Sequence, residues 1–121
     1  MKNSEVKPIT ERTFDFAVRI VKLAQSLDEK PGTSRTLANQ LLRSGTSVGA
    51  NVEEAQGGQS KADFISKMSI ALKEARETLY WLKLLVASGV CEEKKLTELI
   101  DEANQIVSIL VTIVKRSKRK N

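Results

Sequence analysis

Glu74 and Glu77 stand three residues apart, and Glu53-Glu54 lies about twenty residues earlier. On helices, carboxylates spaced in this way share a face, as in the bundles that hold paired metal ions. Those sites complete their shells with Glu-x-x-His pairs, and this 121-residue sequence has no histidine. A divalent cation held by oxygen ligands from Glu53, Glu54, Glu74 and Glu77 is the one metal chemistry left to consider. The missing imidazole also removes the commonest general base and the partner that would activate the single cysteine, Cys91. One cysteine forms no internal disulfide, which predicts a reducing compartment. The sequence therefore predicts no catalytic residues, no metal site and no cofactor; the protein is not expected to be an enzyme.

The other chemistry-bearing set is cationic. The chain carries 20 Lys and Arg against 15 Asp and Glu, and residues 115–121 hold five of the basic groups and none of the acidic ones. Residues 1–114 are thus electrically balanced. Lys115, Arg116, Lys118, Arg119 and Lys120 make a candidate nucleic-acid contact, because cations that neutralise phosphates release condensed counterions. The competing reading is a solvated basic end that serves solubility alone. Aromatic residues make up only 4% of the chain, so few are expected free on the surface, which argues against sequence-specific stacking on single strands.

Helices must position these groups. Ile65, Met68, Leu72, Ala75, Leu79, Leu82 and Val86 repeat at alternating steps of three and four, the spacing of an apolar stripe on a bundle helix. Phe64, Ala71, Trp81 and Leu85 widen that stripe. Ser60 with Asp63 has the form of a capping box, with Asp in place of the usual Glu, and Ser88-Gly89 provides a stop. Leu96, Leu99, Ala103, Ile106, Leu110 and Ile113 mark a fourth helix, predicted to end near Lys115 and fray into the basic tail.

Earlier in the chain, Phe14, Ala17, Val21 and Ala24 form one stripe and Phe16, Ile20, Leu23 and Leu27 a second, predicting a mostly buried first helix capped by Thr10 or Thr13. Asp28 to Gly32 is a turn, since Pro31 disfavours helix at Lys30. Ser34 is the expected N-cap of a second helix lined by Leu37, Leu41, Val48, Val52 and Ala55. Gly45 and Gly49, one turn apart inside it, predict that another backbone comes close.

Four amphipathic helices with three short connections predict an all-α, up-down-up-down antiparallel four-helix bundle, in one domain over residues 1–121. A loose arm is expected over about residues 1–9, with the basic tail at 115–121. The first residues, MKNSEVKPITER, lack the apolar run of a signal peptide. No stretch approaches the roughly 20 apolar residues that span a bilayer. The expected setting is cytoplasmic, without membrane contact.

Beside the apolar line of the second helix, Ser44, Ser47, Asn51 and Glu54 follow the same three-and-four spacing. The third helix offers Lys67, Glu74, Glu77, Thr78 and Trp81. Buried polar groups must be paired, so these residues predict a structural polar seam between the two helices or across a subunit contact, fixing register. The alternative is that the glutamates are simply solvated.

The same run, SGTSVGANVEEAQGGQSKADFISKMSIALKEARETLYWLKLL, resembles the family of four-helix-bundle proteins encoded in 23S rRNA intervening sequences. A Ser-x-x-x-Asn-x-x-Glu-Ala pattern falls on Ser47, Asn51, Glu54 and Ala55. It is followed by Ser60, Lys61, Asp63 and Phe64, then by Ala71, Glu74, Glu77 and Thr78 ahead of Trp81-Leu82. The resemblance extends over about residues 10–116. Many members place Glu-Gly after the Asn; here Ala55 follows Glu54 and the glycines come at 57 and 58. The resemblance implies a bacterial, non-enzymatic up-down bundle that assembles as a homo-oligomer, with a five-fold ring expected. In such a ring the tails would bring together about 25 positive charges as one polyanion site. A related branch serves as the accessory protein of diversity-generating retroelements, where it binds nucleic acid and partners a reverse transcriptase. RNA or DNA is therefore one expected partner, and a protein client such as a reverse transcriptase, held by a scaffold, is the alternative.

Overall fold

In a computed structural model, which describes residues 7–119, four helices follow one another: α1 (Ile9–Asp28), α2 (Thr33–Gln56), α3 (Lys61–Ala87) and α4 (Glu93–Arg119). No strand occurs among the described residues. Short turns make each neighbour antiparallel, and side-chain pairs show it directly. Gly45 faces Ile20 while Gly49 faces Thr13; Ser44 meets Thr78 while Glu54 meets Lys67. The helices approach one another as α1–α2, α2–α3, α3–α4 and α4–α1, and among the described residues no diagonal pair comes close at the backbone. The four rods therefore stand at the corners of a square, and α1–α4 is the most sparsely filled side.

The core is built from one line per helix: Phe16, Ile20, Ala24 and Leu27 on α1; Ala38, Leu41, Val48, Val52 and Ala55 on α2; Met68, Ala71, Ala75, Leu82 and Leu85 on α3; Leu96, Leu99, Ala103, Ile106, Leu110 and Val114 on α4. On α3 this line is rotated from the one the spacing predicts. Ile65, Leu72, Leu79 and Val86 are only half-buried, and Ala71 and Thr78 lie at the centre. Small residues at the middle let α2 and α3 approach closely, while the larger ones fill the flanks. The prediction of a mostly buried α1 is corrected likewise, because Phe14 is 67% exposed and Val18 also faces outward.

The two internal glycines of α2 sit where α1 presses closest. A Cβ at Gly45 would lie 2.6 Å from Ile20 Cγ2, and one at Gly49 would lie 3.1 Å from the carbonyl oxygen of Thr13. The expected close backbone approach is present at Gly49; at Gly45 the intruder is a side chain.

Helix ends differ from the reading in two places. α1 starts after Pro8 with no side-chain cap, and Thr13 instead turns its hydroxyl back to the Ile9 carbonyl at 2.8 Å. α2 starts after Gly32, whose φ of 93° suits glycine, and Ser34 donates to the Leu27 carbonyl at 3.0 Å, tying the turn to the end of α1. The α3 cap is as expected: Ser60 Oγ accepts from the Asp63 amide at 3.0 Å. Gly89 follows the C-cap Ser88 with φ of 82°.

Candidate nucleic-acid interface

The cationic residues are not a frayed tail. α4 continues as helix to Arg119, so Lys115, Arg116, Lys118 and Arg119 form its last turns; Lys120 lies outside the described residues. Residues 93–119 contain neither Gly nor Pro to stop the helix, and cations at a helix C-terminus are stabilised by the dipole of the exposed carbonyls. At about 100° per residue the four side chains span roughly 160° of the helix circumference, centred opposite the buried Leu110. All four are exposed. Among the described residues, Lys115, Arg116 and Arg119 have no carboxylate partner. No Asp or Glu occurs after Glu102 in the sequence, so nothing on the same helix neutralises this end.

Placement at one pole follows from helix lengths. α3 and α4 both have 27 residues and are joined by a short turn, so the end of α4 lies level with the start of α3. On the other side, Arg12 of α1 meets Glu102 and Gln105. α4 therefore runs about three turns past the level of Ile9. That overhang carries the cations.

The Arg12 contact holds the sparse side of the square. Its guanidinium reaches Glu102 through Nε at 3.1 Å and one terminal nitrogen at 2.7 Å, with Gln105 accepting at 2.9 Å. Both charged side chains are about four-fifths buried, at 19% and 22% exposure. The hydrogen bond to Glu102 raises the Arg12 pKa above its ordinary value, so the guanidinium stays charged at every working pH. Sequence spacing could not pair residues on the first and last helices.

At the α2–α3 seam the predicted residues divide. Ser44 and Thr78 are buried and their hydroxyl oxygens lie 2.9 Å apart, with Thr78 Oγ1 also 2.8 Å from the Glu74 carbonyl. Glu54 pairs with Lys67 at 3.0 Å on the surface, which raises the Lys67 pKa through the hydrogen bond and the charge. Glu74 and Glu77 both bind Arg43, a residue the sequence reading missed; Glu74 lies at 3.2 Å, and Glu77 also accepts from Trp81 Nε1 at 3.1 Å. The available signal was a cation on α2 facing two carboxylates one turn apart. Ser47 and Asn51 do not cross the seam: Ser47 Oγ donates to the Arg43 carbonyl at 2.8 Å, and Asn51 Nδ2 to the Ser47 carbonyl at 2.9 Å. No buried side-chain nitrogen or oxygen among the described residues lacks a partner.

Glu54, Glu74 and Glu77 therefore bind cations of the chain itself. Among the described residues no three of His, Cys, Asp and Glu converge as metal ligands. Cys91 is half-buried in the α3–α4 turn, where burial pushes its thiol pKa up against the weaker opposing charge of Lys95. A raised pKa disfavours the nucleophilic thiolate. Among the described residues no helix is long and apolar enough to cross a membrane.

A solved structure of a protein of unknown function, from the S23 ribosomal protein family of Bacteroides thetaiotaomicron, is similar throughout. It is 40% identical, superposes with a TM-score of 0.83, and the match covers 89% of this chain and 99% of that one. No curated protein matches the chain. The model of the 23S rRNA-intervening sequence proteins matches residues 7–112, which takes in α1 to α3 and most of α4 and stops just short of the cationic end. With the seam motifs, the square of four helices and this match in agreement, the chain belongs to the 23S rRNA-intervening sequence protein family.

Proposed function

We propose that the protein is a non-enzymatic, homo-oligomeric bundle that binds the phosphate backbone of nucleic acid through the cationic end of α4. The observation that carries this reading is the overhang itself: Lys115, Arg116, Lys118 and Arg119 exposed on rigid helical turns, with no acid on α4 beyond Glu102. A helix presents these charges at fixed spacing, so less side-chain and backbone freedom is lost on binding than from a disordered tail. Backbone contacts fix position without reading sequence, so duplex DNA and structured RNA are both ligands. Because the family match ends at residue 112, support for this site comes from the chain's own residues. Assembly multiplies it: copies in a ring present their overhangs together, and weak sites act as one strong site. The ring proposed is five-fold, in a bacterial cytoplasm.

Filter retention of duplex DNA and of a structured RNA tests the reading. The intact chain is compared with a variant carrying Lys115→Gln, Arg116→Gln, Lys118→Gln and Arg119→Gln. The intact chain is expected to retain both ligands at low salt and the variant neither. Equal retention by the two, or none by either, removes the proposal. Light scattering on the same samples reads assembly, with a mass of five times 13.4 kDa expected and a monomer contradicting the ring.

A further inference from the structure

The outward face of α3 carries a second set of groups that the α4 end does not use. Lys73, Arg76, Tyr80 and Lys83 follow steps of three, four and three, which places them in one line along about 15 Å of helix. All four are exposed, and the Tyr80 ring is 59% exposed. Among the described residues none of the three cations has a carboxylate partner. The carboxylates nearest in sequence are occupied elsewhere: Glu74 and Glu77 bind Arg43 from α2, and Glu74 is only 14% exposed. The seam thus takes the negative charge off this face and leaves its cations unbalanced.

The Tyr80 ring is also held in place. It packs edge-on against Trp81, with centroids 5.2 Å apart and planes at 72°, and Trp81 is itself fixed by its indole N–H to Glu77 at 3.1 Å. An exposed ring backed by an ordered ring and bracketed by cations is a stacking platform with a phosphate track. Two rings, Phe14 and Tyr80, are exposed, and Tyr80 is the one with cations at steps of three and four along its helix.

We propose that this α3 face is a binding site for single-stranded nucleic acid, with a base stacked on Tyr80 and the flanking phosphates held by Lys73, Arg76 and Lys83. A duplex hides its base faces and offers Tyr80 nothing. The site is separate from the α4 end and stands or falls apart from it.

Trp81 is the chain's one tryptophan and touches Tyr80, so its fluorescence reports occupancy. A short oligothymidylate is titrated into the full chain at low salt, with fluorescence and anisotropy read together and a duplex as the second probe. The oligothymidylate is expected to change Trp81 emission. Tyr80→Ala should weaken its affinity roughly 5- to 100-fold, the range for loss of one stacked base, while Tyr80→Phe keeps it. Duplex binding by Tyr80→Ala should be unchanged, and the four-Gln α4 variant should lose the duplex yet keep the Tyr80-dependent response. The proposal is overturned if oligothymidylate fails to bind, or if Tyr80→Ala binds it as tightly as the intact chain. It is also overturned if Tyr80→Ala changes only the mass in solution, which would make the face a subunit contact.

Discussion

Two residue-scale contacts decide how closely α2 can lie against its neighbours. The first is Gly45 against Ile20. In an open helix Gly→Ala gains about 1 kcal/mol, but here the new methyl would stand 2.6 Å from Ile20 Cγ2 and 3.1 Å from its Cβ, which cannot swing away. Gly45→Ala is therefore expected to destabilise the fold by about 1–2 kcal/mol in urea unfolding. Adding Ile20→Ala should show a favourable coupling between the two sites, and additive effects would mean that the clash is absorbed elsewhere. The second contact is the Ser44–Thr78 hydroxyl pair. Thr78→Val leaves the Ser44 hydroxyl buried with only the Leu41 carbonyl at 3.4 Å, at a cost of about 1–3 kcal/mol. Thr78→Val with Ser44→Ala should recover most of the loss, since neither helix then buries an unpaired group. If the double variant is as unstable as the single one, hydroxyl pairing is not what the site requires.

At the scale of elements, the side most easily opened is α1–α4, because it is the sparse one and Arg12 is its main polar tie. Arg12→Gln should cost roughly 1–2 kcal/mol, between the surface and buried limits for an ion pair. Hydrogen exchange should rise along α1 and α4 more than along α2 and α3; uniform acceleration in all four helices would show that this side does not open on its own. The elements themselves were largely legible. Steps of three and four located α3 and α4, and Ser60, Asp63 and Gly89 marked the ends of α3 by local chemistry alone. What stayed hidden depended on neighbours. Periodicity gives the width of the apolar stripe on α3 but not its centre, which was set by the small Ala71 and Thr78 at the contact with α2. Phe14 reads as core in one dimension and faces solvent in three. Arg43 and Arg12 are cations whose partners lie on other helices, 31 and 90 residues away, and no spacing rule reaches that far. The helical state of residues 115–119 was hidden for another reason: a run of charge reads as solvated, yet at a helix C-terminus the same charge favours continued helix.

For the whole molecule, charge is sorted in space. Glu102, the pair Glu74 and Glu77, and Glu54 are engaged by Arg12, Arg43 and Lys67, while Lys115, Arg116 and Arg119 at the end of α4 have no carboxylate partner among the described residues. Binding there should be electrostatic and therefore steep in salt. The most direct measurement is the affinity for duplex DNA as a function of salt concentration, for the intact chain and for the variant with Lys115, Arg116, Lys118 and Arg119 changed to Gln. Each phosphate contact contributes about 0.9 to the slope of log affinity against log salt. The intact chain is expected to show a slope of several units, lowered by up to about 3.6 per engaged overhang in the variant. Slopes that coincide in the two proteins, with affinities that also coincide, would contradict a phosphate-binding end on α4.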